Sequence, residues 1–149
     1  MATLLKIAGV HAARAKAGER AVRIADMRAA NKKAAIVIYG WVMRNMEAEG
    51  GRQYYAQDSW PPLKAATIAA RARKGYWPGK MLQVTGQMKQ RFIPSSTNRQ
   101  ARVGNSAPYA KYHDEGTSRI PARRMLPRPQ IALEMVRPIY GAAVKLAVR

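Results

Sequence analysis

Glycine and proline punctuate this chain after its first third, and that punctuation limits most of the remaining sequence to short pieces. Gly50-Gly51 closes a long helical segment. Pro61-Pro62 forbids helix before it and suits a helix start just after. Gly75 and Pro78-Gly79 mark a turn, Gly116 stops a later segment, and Pro127 and Pro129 hold the chain extended around Arg128. At 149 residues there is length for one domain with a real core, and too little for two comfortable ones.

Periodicity fills in the pieces. Residues 3–47 read as helix, broken near Gly18 or around 29–33, with Ala34, Ile38, Trp41, Val42 and Met46 on one apolar face. That stripe is more than a small sheet needs, so the N-terminal helix is expected to reach neighbouring subunits. Lys64 to Lys74 predicts a short basic helix, and Met81 to Arg91 another, with Leu82, Thr85 and Met88 on one side. Gly86 is its weak point, where close packing against another backbone or a cap is the expected reason for a glycine. Phe92 to Ser96 and Gln100 to Asn105 predict a hairpin about the Thr97-Asn98-Arg99 turn. Tyr109 to Glu115 gives one or two helical turns. Ala132, Met135, Val136, Ile139, Tyr140, Ala143 and Ala147 form a last helical stripe, kinked at Pro138. The predicted fold is a single α+β domain over 1–149. Residues 1–50 form a long helical segment; 51–149 hold short helices, a small antiparallel sheet and a C-terminal helix.

Chemistry is thinly supplied. There is no cysteine, which removes disulfides, thiol catalysis and thiolate metal sites. His113-Asp114-Glu115 is the one cluster of titratable groups, yet neighbours on a helix point about 100° apart and do not converge on one ion. The other histidine, His11, is remote, and a two-metal site needs several converging carboxylates. No serine sits in a Gly-x-Ser-x-Gly elbow, and no phosphate-binding Gly-x-x-x-x-Gly-Lys motif occurs. No catalytic, metal or cofactor-binding residue is therefore assigned. No apolar run is long enough to span a membrane.

Basic residues are the opposite case. Lys and Arg number 27 against 8 acids, for a net charge of +19. The excess is +5 over residues 1–50 (9 basic, 4 acidic) and +14 over 51–149 (18 basic, 4 acidic). Arg71, Arg73 and Lys74 cluster on the basic helix, and Arg119, Arg123, Arg124 and Arg128 on a Gly- and Pro-bounded loop, with Tyr54, Tyr55, Tyr76 and Trp77 near them in sequence. Cations beside aromatics suit phosphate and base contacts. No helix-turn-helix, zinc-finger or RNA-binding signature accompanies them. Acidic neighbouring proteins explain the same charge equally well.

The order of the motifs narrows the choice. Trp60, Pro62 and Leu63 begin the series, followed by Leu82, Thr85, Gly86 and Met88. Val103, Gly104, Tyr109, Ala110, His113 and Gly116 come next, then Pro121, Ala122, Arg123 and Leu126. The series resembles the phage virion morphogenesis, or tail completion, family of tailed bacteriophages, including Mu-like ones. Their motifs run W-x-P-L, L-x-x-T-G-x-L, V-G…Y-A-x-x-H-x-x-G and P-A-R-x-[FM]-L. Met88 and Met125 stand where Leu and Phe are commoner, swaps that keep an apolar side chain of similar volume.

The resemblance implies a structural, non-enzymatic protein of the virion neck, assembled in the host cytoplasm, that joins head to tail as a homo-oligomeric ring. Six-fold symmetry is expected first and twelve-fold next. The implied partners are neighbouring neck, connector or tail tube proteins and the packaged DNA in the lumen, with no cofactor. Trp60, Leu63, Thr85, Gly86, Tyr109, His113, Gly116, Pro121 and Arg123 are then interface or structural-motif residues. Arg119 and Arg124 are expected to meet charged partners, and Arg123 to fork onto a carboxylate. Pro121 to Arg123 is expected to lead into an edge strand. The alternative function is that of a basic DNA-binding protein.

Overall fold

The structure, a computed structural model, describes residues 16–19, 21–22, 26–50 and 59–147. Gly51, Tyr54 and Tyr55 lie outside the described residues. Residues 16–19 and 21–22 are helical. They precede α1 (Arg28–Glu47), α2 (Ala65–Arg73), α3 (Gln87–Gln90), β1 (Phe92–Ser96), β2 (Ala101–Asn105), α4 (Ala110–Glu115) and α5 (Pro129–Ala147). The fold is α+β, with a two-stranded antiparallel sheet among the described residues.

The core forms where α1 crosses the hairpin and α5. The predicted stripe is the face it uses: Ala34, Val42 and Met46 are fully buried, Trp41 nearly so, and Ile38 packs at the margin. Phe92 comes from β1, Met88 from α3, Ala110 from α4, and Ile131 and Met135 from α5. The stripe is thus covered within the chain by the hairpin and α5. Burying side chains of this size is worth about 1.5–3 kcal/mol each.

The break expected around 29–33 does not occur. Asn31 would ordinarily compete with the helix through its own backbone. Here it faces inward instead: its Nδ2 donates to Thr97 O (2.9 Å) and its Oδ1 accepts from Tyr140 Oη (2.6 Å). With Met27 N donating to Asn98 O (3.2 Å), these bonds tie the start of α1 to the hairpin turn and α5. Helix α5 likewise runs through Pro138 without ending.

The helix expected over Met81–Arg91 shrinks to α3. Leu82 (φ 57°) and Gly86 (φ 71°) are left-handed, which no α-helix tolerates. What wins is the end of α1, whose last carbonyls have no partner within the helix. Gln83 Nε2 donates to Met46 O (2.7 Å), Lys80 Nζ to Glu47 O (3.1 Å), and Met81 N to Glu49 Oε1 (2.5 Å). Lys80 and Lys89 also pair with the Glu47 carboxylate. Gly86 caps α3, and close backbone packing is not the reason for it. A Cβ there would meet only Gln90 Nε2 at 3.5 Å, so the positive φ sets the requirement.

Candidate functional site

Trp60, His113 and Gly116 of the motif series meet one extended segment, Ile120 to Leu126, whose backbone is held largely by side chains. Trp60, buried in the core, donates Nε1–H to Arg124 O (3.0 Å). Asn45 Nδ2, from the buried face of α1, donates to Arg124 O (3.0 Å) and Met125 O (3.2 Å). Asp114 Oδ1 accepts the N–H groups of Met125 (2.6 Å) and Leu126 (3.1 Å). Arg123 N donates to His113 O (2.7 Å). These bonds take the groups a sheet ladder would use, which is why Pro121 to Arg123 does not lead into a strand.

Arg123 is the centre of the arrangement. The residue is only 5% exposed, yet among the described residues it meets no carboxylate. Nε and Nη2 donate to Pro61 O (3.1 and 2.9 Å), and Nη2 also to Pro62 O (3.2 Å). The expected fork onto an acid is therefore a fork onto two proline carbonyls, joining the first motif to the last. Burial, and then the nearby Arg71 cation, pull its pKa down from the ordinary arginine value. The guanidinium stays protonated all the same.

Gly116 fixes the approach. It follows α4 at φ 79°, and a Cβ there would lie 2.8 Å from Ala122 N, so the chain folds back against itself. Thr117 closes the turn, its Oγ1 accepting from Arg119 N (3.2 Å) and Ile120 N (3.0 Å). Tyr109, the residue before α4, meets the His113 ring edge-on at 6.5 Å between centroids. Leu63 is half-buried. Arg119, Pro121 and Arg124 are exposed on the loop. Thr85 is exposed too, and with Gly86 it turns the chain ahead of buried Met88.

Asn45 escaped sequence reasoning although a signal was present. It lies three and four residues beyond Val42 and Trp41, so a polar side chain interrupts an apolar face. Asp114 was visible only as part of a titratable triplet. Its use here is to accept two backbone N–H groups. Among the described residues no group of three or more His, Asp or Glu is placed to hold a metal ion.

His113 gives the site a pH dependence. Its Nδ1 is buried without a hydrogen-bond partner among the described residues. Burial, and then the Arg123 cation, lower its pKa below the usual 6.5. The unfolded chain therefore takes up a proton at higher pH than the folded one. The stability this neutral imidazole confers is complete above about pH 6.5 and is lost as pH falls through the folded value. Melting midpoints measured across this range are expected to decline on the acid side. The decline should be shallower in His113→Asn, and equal slopes in both proteins would remove His113 as its source.

No helix in the described residues is long and apolar enough to cross a membrane. No curated protein and no solved structure matches the chain. A family model does, over residues 42–145, a span that starts inside α1, takes in the whole Arg123 arrangement and ends within α5. That span also holds all four motifs of the series, and the chain belongs to the phage virion morphogenesis family.

Proposed function

We propose that this virion protein is a neck component, a tail completion or head–tail joining protein that works as a homo-oligomeric ring, six-fold before twelve-fold. One observation carries the reading. Trp60, Arg123 and Asp114 spend their polar groups on backbone atoms of the same chain, making a hydrogen-bonded frame around Arg123. A frame of that kind presents a surface, and here the surface carries Arg119 and Arg124 on a loop whose path is fixed. A ring of subunits at +19 each repels itself unless negative partners sit nearby. Acidic faces of adjoining connector or tail tube rings, and packaged DNA in the lumen, supply them. Assembly takes place in the host cytoplasm on this reading.

Replacing Arg119 and Arg124 together by glutamine is expected to weaken head–tail joining and to flatten its salt dependence, because a screened attraction is removed. Joining assays over a salt series read both effects, and unchanged joining at every salt concentration would refute the contact. Negative-stain images of the purified protein test the ring itself.

DNA binding as the main task is the second reading, favoured by α2. That helix has no buried residue and ends in Arg71, Arg73 and Lys74, with Tyr76 and Trp77 exposed beyond it. Tight, salt-steep DNA binding by a monomer would support it over the first.

A further inference from the structure

The two edges of the hairpin differ in a way the assembly reading does not use. Thr97 N donates to Gln100 O (2.8 Å) and Ser106 N to Arg91 O (3.1 Å). With the register Ser95↔Arg102 and Ile93↔Gly104, the pairs that exchange hydrogen bonds are fixed. The backbone groups of Phe92, Pro94 and Ser96 therefore point out of one edge, and those of Ala101, Val103 and Asn105 out of the other. Pro94 has no N–H, which closes the β1 edge to a further strand. The β2 edge is open: its three outward N–H groups have no partner among the described residues. Beside it runs a groove of about 620 Å³, lined by Ile38, Ile93, Val103, Leu126 and Pro127.

Gly104 is a second, independent observation. Its φ is not positive, and a Cβ there would meet nothing within 4 Å. Neither backbone geometry nor packing among the described residues asks for glycine at this position. A backbone approaching from outside would. Exposed Ile93 lies opposite it, and Arg102 precedes it on the same outer face.

We propose that the β2 edge captures an extended segment of another protein, apolar at alternate positions and acidic between them. The segment adds a third strand through Ala101, Val103 and Asn105 and lays its apolar side chains in the groove. Charge selects the occupant. No acid occurs between Asp58 and Asp114, while 10 Lys or Arg do, and Asp114 is engaged by Met125 and Leu126. A second copy would set Arg99 and Arg102 against their own counterparts, with no acid in the strand to offset them. Nor can the sheet pass from copy to copy, because Pro94 closes the other edge.

The test uses the full chain and a labelled peptide of alternating valine and glutamate, about ten residues long so as to overhang the strand, read by fluorescence anisotropy. Binding is expected. Kd should rise about tenfold or more, roughly 1.4 kcal/mol, on Gly104→Val, on Arg102→Glu, and on N-methylation of alternate peptide amides. Gly104→Val should leave the melting temperature unchanged or higher, since its side chain enters open space. Should it unfold the protein, Arg102→Glu and the methylated peptide decide the matter. Absence of binding overturns the proposal, as does equal binding of the methylated peptide or of one with lysine for glutamate. A dimer in sedimentation that Gly104→Val dissociates would make a second copy the occupant and also overturn it. None of these outcomes depends on the neck assignment.

Discussion

Gly50→Ala is expected to destabilise the protein by about 3 kcal/mol, combining a strained backbone with overpacking. Gly50 has φ 101°, where side chains are rarely tolerated, and a Cβ there would fall 2.5 Å from Trp60 N and 2.9 Å from Trp60 Cδ1. The first of these contacts is backbone and cannot swing aside. Trp60 is fixed at this point because its N–H donates to Glu49 O (3.1 Å), its ring enters the core and its Nε1 holds Arg124. A shift of the tryptophan would therefore carry into the loop. Gly75 is the control: its φ is 73°, yet a Cβ there meets nothing within 4 Å. Gly75→Ala should cost only the left-handed backbone term, about 1–2 kcal/mol. Urea unfolding of both variants separates the two effects, and equal losses would mean that Trp60 yields to the added methyl.

The elements were legible in the sequence wherever a local pattern decided them. The hairpin, the α1 stripe and the stop at Gly116 come from period and punctuation, which act over a few residues. What sequence reading missed was decided at a distance. A break was expected around 29–33 because the partners that hold Asn31, Thr97 and Tyr140, lie 66 and 109 residues away. Met81 to Gly86 looked helical because nothing nearby announces that the end of α1 claims Gln83 and Lys80. The site divides in the same way. Motif order brought Trp60, His113, Gly116 and Arg123 together, but their contacts could not be read from it. A carboxylate is the usual expectation for a buried arginine, and this chain has few acids to offer. The carbonyls of Pro61 and Pro62 fill that place.

Arg123→Ala is expected to lower stability by about 3 kcal/mol or more. It removes charge-assisted hydrogen bonds worth about 1.5–3 kcal/mol and leaves a cavity under the loop. The more informative substitution is Arg123→Lys. Lysine keeps the charge but lacks the planar fork, so it cannot span Pro61 O and Pro62 O from one rigid group. It should recover only part of the loss, whereas a site that needed charge alone would accept it fully. Salt separates the same possibilities. An arginine held by a carboxylate at the surface weakens as ions screen it. One held by carbonyls, with no carboxylate beside it among the described residues, has no counter-ion to screen, so the loss in Arg123→Ala should be nearly the same at low and high salt. Arg119, exposed on the same loop, should behave in the reverse manner, with little effect on folding and a salt-dependent effect on joining. Denaturant unfolding at two ionic strengths, set beside the joining assay, reads both halves. A folding defect in Arg123→Ala that vanished at high salt would show that an unseen acid, and not the proline carbonyls, holds this side chain.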